Sequence, residues 1–285
     1  MAARLAQVWR SPLTLRAATS ATGARPPAPM RPALVLAYHG LGTYPRPLDP
    51  HNLMVDAARF RWQILTLRRR GYRFLPLSEF AAYLDEAKPP DGVCAVTFDD
   101  GTVDNVGVVA PLLAELRVPA TVFVCPGLLG QDHFAMPASA GVRLMNADEL
   151  LMLASSPFVE IGSHTSAHTD LSAASAEEAY REMASSKHEL EELLQRPVDT
   201  FAYPRCYYSS ACPDAARRAG YAVAVTCAGL GGWNRFELAR ESIDSLDRRV
   251  SFALKSRRLF RPLWDSLPGR LARSAVRARR HRGGG

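Results

Sequence analysis

The sequence predicts an α/β fold with a mostly parallel sheet covered by helices, and two observations lead to that prediction. Short apolar runs and helix-like segments alternate about seven times along the chain. Polar residues also follow several of the apolar runs, where the carboxyl ends of parallel strands would bring functional side chains together. The composition, 47% hydrophobic and 22% charged, is that of an ordinary globular protein. Periodicity leaves an open sheet and a closed barrel as alternatives.

In the first half of the chain, the apolar run 33–38 predicts a buried strand that places His39 at its end. Asp56 is expected to cap a helix that Gly71 stops, because apolar residues recur on one helical face between them. The later elements are strands at 74–77, 94–98 and 120–124 and a helix at 105–116.

The second half continues the alternation. Residues 126–146 are rich in Gly, Pro and polar residues, which indicates a loop at the border of a cleft. Asn146 is expected to cap a helix over 147–154, and 175–194 is the longest predicted helix. The remaining elements are strands at 158–161, 201–203, 222–226 and 239–243 and a helix at 209–219.

Two adjacent carboxylates, Asp99 and Asp100, follow the apolar run 94–98 and precede Gly101. Because the backbone turns at the end of a strand, both side chains can reach one cleft and do different work there. The alternative is an ordinary solvated turn, since Asp-Gly is a common turn dipeptide. Polar residues about sixty positions downstream favour the functional interpretation of the two carboxylates.

Those residues include His164 and His168, which follow a second strand-like run. At a spacing of four, one helical turn would place both imidazoles on the same face. Two histidines and one carboxylate form a ligand set for zinc or a similar ion that leaves positions open for water and substrate, as in catalytic sites. The alternative is a pair of ordinary surface histidines.

Five short motifs, taken together and in order, resemble those of the polysaccharide deacetylases (the NodB-homology proteins, carbohydrate esterase family four). The resemblance covers roughly residues 33–245, and it implies an irregular (β/α)7 barrel. The motifs are Ala37–Gly40, Thr97–Gly101, Val118–Val124, Ser163–His168 and Phe201–Pro204.

The resemblance implies a division of labour between the two carboxylates. A divalent metal, with Zn²⁺ the expected ion, would be held by Asp100, His164 and His168. Such an ion polarises an amide carbonyl and lowers the pKa of a bound water from ~16 toward ~7. Asp99 would then be the general base that takes a proton from the attacking water.

The family also implies groups for the oxyanion and the leaving amine. The oxyanion and substrate segment would be Tyr203, Pro204 and Arg205, with the Arg205 backbone N–H as the donor. The usual late histidine acid has no match, because the last histidine lies in a basic tail. The opening motif resembles that of poly-N-acetylglucosamine deacetylases, a branch with an early histidine, so His39 is the expected general acid. The alternative is a strand-end histidine bonded into a loop.

The sequence departs from the family pattern at several positions. Thr102 stands where an aromatic residue is usual, and Cys206 stands where a glycine is usual, so it could strain the turn or narrow the cleft. The family arginine that steadies the base is missing near residue 201. Arg240 is expected to replace it beside Asp99, and Asp244 is expected to orient His39. For both, an ordinary ion pair at a strand edge is the alternative.

The cysteines and the two ends of the chain bear on its environment. Five cysteines without C-x-x-C spacing argue against a disulfide framework or a zinc ribbon and suit a reducing compartment. Residues 1–32 are Arg-rich without an apolar h-region, so we expect a disordered leader before a barrel domain at 33–254, or a true start at Met30. No run reaches the ~18 apolar residues of a membrane span.

The tail 255–285 contains ten Lys/Arg residues and one acid, interleaved with apolar and aromatic residues. That mixture favours peripheral contact with an anionic membrane over nucleic acid, and a tail packed on the barrel is the alternative. The expected location is cytoplasmic, or peripheral at the inner membrane surface. The expected function is removal of N-acetyl groups from the amino sugars of a polysaccharide or glycolipid. The alternatives are an inactive carbohydrate-binding relative and a deacylase of a small amide.

Overall fold

The computed structural model describes residues 31–85, 89–228 and 230–258. Its ten strands are β1 (Leu34–Tyr38), β2 (Gly40–Leu41), β3 (Met54–Val55), β4 (Arg73–Leu75), β5 (Val93–Phe98), β6 (Ala120–Val124), β7 (Val159–Ser163), β8 (Thr200–Ala202), β9 (Val223–Cys227) and β10 (Leu238–Ser242). Its α-helices are α1 (Ala57–Arg69), α2 (Leu77–Ala81), α3 (Ala110–Leu116), α4 (Ala147–Ala154), α5 (Ala176–Leu194), α6 (Cys212–Arg218) and α7 (Arg249–Lys255).

The main sheet closes into a barrel. Its strands follow the order β1-β10-β9-β8-β7-β6-β5-β4, and an additional pairing of β1 with β5 closes a ring of seven. Every pairing in the ring is parallel, with Leu36 opposite Val96 on one side and Glu241 on the other. Strand β4 lies outside the ring on β5. The closed, parallel arrangement confirms the predicted (β/α)7 barrel.

Three helix starts lie where the sequence placed them, because each has a side-chain cap. The Asp56 carboxylate accepts a hydrogen bond from the Arg59 N–H at the start of α1. Asn146 and Ser175 form capping boxes at the starts of α4 and α5. The helix predicted at 105–116 differs at its beginning, where Asn105–Val109 form a π-helical turn before α3.

Alternate residues along the strands belong to two separate cores. On β1, Leu34, Leu36 and Tyr38 pack into the large cluster between the sheet and the helices, whereas Val35 packs into a second cluster. The second cluster contains residues of several ring strands together with α2. The carboxyl ends of the strands are left for polar groups.

The two ends of the chain lie largely outside the described residues. Of the leader predicted at 1–32, only residues 31 and 32 are described, and Met30, the alternative start, lies outside the described residues. The tail predicted at 255–285 is described only as far as residue 258. Among the residues that are described, no helix has the length and apolar character needed to cross a membrane.

Candidate active site

Strand β5 brings Asp99 and Asp100 to one cleft at the carboxyl end of the barrel. The Asp99 N–H donates to the Tyr38 carbonyl (2.9 Å), so Asp99 continues the pairing of β5 with β1. Asp100 and Gly101 then take left-handed conformations with φ of 70° and 75°. That turn reverses the alternation of side chains, so adjacent carboxylates share one cleft. The cleft has a volume of about 460 Å³.

Arg240 holds Asp99 through two hydrogen bonds. The guanidinium Nη1 and Nη2 donate to the two carboxylate oxygens at 2.6 and 2.8 Å, and Arg240 is fully buried. Nη1 also donates to the Thr97 hydroxyl (3.0 Å). Burial is the largest single effect and raises the pKa of Asp99, but Arg240, His164 and His39 together lower it by more, so the pKa lies below its ordinary value. Arg240 therefore lies beside Asp99, as predicted, and the Asp99 carboxyl is ionised at neutral pH.

Asp100, His164 and His168 turn their side chains toward one point. The Asp100 Oδ1 atom lies 3.6 Å from Nε2 of His164 and 3.7 Å from Nε2 of His168, and the candidate ligand atoms lie within 4.8 Å of one another. His164 Nδ1 lies 2.7 Å from the Ala202 carbonyl, which requires a proton on Nδ1 and leaves Nε2 with its lone pair. Burial lowers the pKa of His168 to about 4, with a smaller contribution from the nearby His164. The imidazole of His168 is therefore neutral at pH 7.

His164 and His168 do not lie on a helical turn. The prediction that one turn of helix places both imidazoles on the same face is therefore wrong. His164 follows the last residue of β7, and its N–H donates to the Val124 carbonyl (3.0 Å). Thr165 and His168 have φ of 60° and 54°, which an α-helix excludes. The Thr169 N–H donates to the Thr165 hydroxyl (2.9 Å) and closes this turn instead. A side-chain-capped loop thus brings the two imidazoles together.

His133 is a further residue of the site that was not predicted from the sequence. This buried residue of the loop between β6 and α4 places Nε2 3.1 Å from Asp100 Oδ2. The next residue, Phe134, stacks on His168 with ring centroids 4.2 Å apart. The composition of 126–146 indicated only a loop at the cleft; a histidine within such a loop was the available signal.

His39 lines the cleft with the two carboxylates, at the end of β1. Within the described residues, no hydrogen bond or ion pair joins His39 to Asp244, so the expected orienting contact is not made. The Asp244 Oδ1 atom instead accepts a hydrogen bond from the Leu246 N–H (2.8 Å). Strand β10 ends at Ser242, and this local turn directs the carboxylate toward its own backbone.

Of the predicted oxyanion and substrate segment, only Arg205 lines the cleft. Tyr203 and Pro204 are buried, and the Tyr203 hydroxyl donates to the Phe236 carbonyl (2.9 Å). The Tyr203 side chain therefore belongs to the large core cluster and does not line the cleft. The backbone turns at Arg205, which has φ of 54°.

Cys206 forms a disulfide with Cys227, and both cysteines line the cleft. The odd number of cysteines gave no reason to expect this bond. Cys206 has φ of 64°, a left-handed conformation that favours glycine, so the departure from the family's glycine is accommodated at some strain. Cys94, Cys125 and Cys212 are free and buried.

The family model described as polysaccharide deacetylase matches residues 86–224, which include Asp99, Asp100, His164 and His168. Residues 86–224 are therefore a polysaccharide deacetylase domain.

Curated relatives of this chain are distant. YxkH of Bacillus subtilis (strain 168) is 26% identical over 193 residues, 67% of this chain and 63% of the relative. The poly-β-1,6-N-acetyl-D-glucosamine N-deacetylase of Staphylococcus aureus (strain MRSA252) is 26% identical over 161 residues, 54% of each protein. The chain thus spans between half and two thirds of the length of these relatives.

Solved structures show that the deacetylase fold extends over most of the chain. IcaB from Ammonifex degensii superposes with a TM-score of 0.66 at 21% identity, covering 81% of this chain and 97% of the other. The deacetylase PplD of Streptococcus pyogenes, in complex with acetate, superposes with a TM-score of 0.65 at 24% identity, covering 80% and 99%.

Proposed function

We propose that the chain is a metal-dependent hydrolase that removes N-acetyl groups from the amino sugars of a polysaccharide. One observation carries the proposal: the buried Asp100 Oδ1 atom has no hydrogen-bond partner and faces Nε2 of His164 and His168. A buried carboxylate oxygen without a partner is costly, and a bound cation would remove that cost.

The donor set fits a divalent metal of the zinc type. It supplies one hard carboxylate oxygen and two imidazole nitrogens, and no fourth protein ligand stands with them in the group found among the described residues. A metal in such an open site activates water and polarises an acyl oxygen. These ligands lie at the floor of the cleft, where a substrate can reach them.

Asp99 is placed to accept the proton of the attacking water. Arg240 donates one hydrogen bond to each of its oxygens, which fixes the carboxylate plane, and Asp99 lines the cleft with lone pairs still available to accept a proton. A general base of this kind must be in hydrogen-bond reach of the water. Holding the base rigidly beside the ligands supplies that reach.

The acid and the oxyanion donor complete the proposed site. His39, at the carboxyl end of β1, lines the cleft and would protonate the leaving amine. The Arg205 amide would donate to the developing oxyanion, because Arg205 turns into the cleft at the end of β8. Neither role needs Asp244.

Assays on purified protein test the proposal. We expect about one bound divalent metal per chain and acetate release from β-linked N-acetylglucosamine oligomers, lost with chelator and restored by Zn²⁺. Asp99→Asn should keep the metal and lose roughly 10²–10⁴-fold in turnover, whereas Asp100→Asn should also lose the metal. Equal metal loss in both variants would contradict the division of roles. Sugar binding without acetate release would favour an inactive relative, and release only from small amides would favour the deacylase alternative.

A further inference from the structure

The loop between β6 and α4 is bonded to the turn that carries Asp100. The Met145 N–H donates to the Gly101 carbonyl (3.0 Å), and the Val103 N–H donates to the Arg143 carbonyl (3.0 Å). Within the loop, the His133 N–H donates to the Val142 carbonyl (3.1 Å) and the Leu144 N–H to the Gln131 carbonyl (2.8 Å). The loop is therefore a backbone-paired hairpin, and the position of His133 is fixed relative to Asp100.

The hydrogen bonds of His133 determine which of its nitrogens carries the proton. The Ala135 N–H donates to Nδ1 (3.1 Å), so Nδ1 must hold a lone pair and Nε2 must hold the hydrogen. Nε2 then donates to Asp100 Oδ2 (3.1 Å). The ring is 3% exposed, so water does not compete for this bond.

The two oxygens of Asp100 are consequently unlike. Oδ2 is occupied by the His133 donor, while Oδ1 has no partner and faces the two imidazoles. A carboxylate free to rotate could give both oxygens to one cation. With His133 in place, rotation would break a buried hydrogen bond, which costs more in the protein interior than at the surface.

We propose that His133 is a positioning residue that restricts Asp100 to ligation through Oδ1 alone. One-oxygen ligation keeps a coordination position open for water and substrate, as a catalytic site needs. Phe134 contributes from the same loop, since its ring stacks on His133 (4.7 Å) and on His168 (4.2 Å). A single hairpin thus orients two of the three ligands. This inference rests on the proposed metal site.

Three variants of His133 separate a hydrogen-bonding role from a packing role. His133→Phe keeps a ring beside Phe134 and removes the donor. His133→Gln retains an amide N–H about as far from the backbone as Nε2. His133→Asn can still accept from the Ala135 N–H but is too short to reach Asp100. His188→Phe, on the exposed surface of α5, is the matched control for loss of a histidine.

The readouts are the Zn²⁺ dissociation constant from chelator competition, the visible absorption spectrum of the Co²⁺ form, and thermal unfolding without metal. We expect His133→Phe and His133→Asn to weaken Zn²⁺ binding roughly 10–100-fold, because Asp100 is then no longer held in its ligating orientation. The Co²⁺ bands should also change, because the carboxylate can then use both oxygens. His133→Gln should recover most of the affinity and the wild-type spectrum, and the control should match the wild type.

Affinity and spectrum unchanged in both His133→Phe and His133→Asn would overturn the inference, as would a His133→Gln variant no better than His133→Asn. If His133→Phe does not fold, the comparison of Gln with Asn decides. Wild-type protein that binds metal but releases no acetate would contradict the proposed substrate and leave these readouts decisive. Wild-type protein that binds no Zn²⁺ or Co²⁺ would overturn the metal site and the inference together.

Discussion

Asp99 is ionised although water barely reaches it, because the guanidinium of Arg240 supplies the opposite charge. The carboxylate is 5% exposed and both of its oxygens accept from the guanidinium. The pair stabilises the fold less than its bond count suggests, because both charges were removed from water. Removing one partner is nevertheless expensive, since the other is left buried and unpaired.

We therefore expect Arg240→Met to lower the free energy of unfolding by about 3–5 kcal/mol and to reduce turnover strongly. Arg240→Lys keeps the charge but not the two-pronged geometry, so it should recover stability more than turnover. Urea unfolding and steady-state acetate release measure the two effects. Identical urea midpoints for wild type and Arg240→Met would show that the ion pair does not support Asp99.

His39 is the residue whose proposed role is most open to a chemical test. As the acid for an amine leaving group, it should matter for amides and not for activated esters, whose leaving groups depart without a proton. His39→Ala should keep metal affinity and lose roughly 10²–10⁴-fold on N-acetyl sugars, yet retain most activity on an activated acetate ester. Equal losses on both substrates would remove His39 from this role.

At the scale of elements, the disulfide joins the turn after β8 to the last residue of β9. It closes a loop with a sequence separation of 21, and the Thr226 hydroxyl donates to the Cys206 carbonyl (2.8 Å) beside it. These two connections hold the Arg205 turn, in which two successive residues have left-handed conformations.

Loss of the disulfide should destabilise the protein and loosen that turn. Cys227→Ser should cost up to about 3 kcal/mol by the loop-closure argument and lower turnover without changing metal affinity. Reductant should affect the wild type in the same direction and leave Cys227→Ser unaffected. Thiol titration of the denatured, unreduced wild type should find the three free cysteines. Five titratable thiols would contradict the bond.

Elements were predictable where their cause is local. The caps at Asp56, Asn146 and Ser175 and the apolar runs of the strands are written in short stretches of sequence. The loop after β7 and the hairpin that carries His133 were not predictable in this way. Their shapes depend on backbone hydrogen bonds to distant segments, such as that from Met145 to Gly101. The pairing of Cys206 with Cys227 was likewise not predictable from short stretches of sequence.

At the scale of the whole molecule, closure of the barrel assembles the site. Arg240 and Asp99 are 141 residues apart in sequence and meet only because β10 lies beside β1, which in turn pairs with β5. Alternation of strands and helices predicts parallel strands but not which pair closes the ring. The motif resemblance supplied closure, and it agreed with the placement of Asp99 and Asp100 together at the end of β5. It did not supply the correct partner for Asp244.

The distribution of charge over the chain leads to the last prediction. The formal net charge is +7, and both ends of the chain are strongly basic, so the part between them carries more acidic than basic residues. Beyond the described residues, the segment 259–285 combines basic residues with Phe260 and Trp264. An acidic enzyme body would be repelled by an anionic bilayer, whereas such a segment would be attracted by ~1 kcal/mol for each basic residue near the surface.

We therefore propose that the basic tail brings the enzyme to an anionic membrane carrying its substrate. The full chain should sediment with phosphatidylglycerol vesicles at low salt and release from them as salt is raised, and it should not bind phosphatidylcholine vesicles. A variant that ends at Arg258 should lose vesicle binding but keep acetate release from soluble oligomers. Phe260→Ser with Trp264→Ser retains every charge and should bind more weakly than the full chain, because apolar insertion adds to the attraction. Equal binding by the full chain and the truncated variant, or binding to DNA but not to vesicles, would assign the tail to another partner.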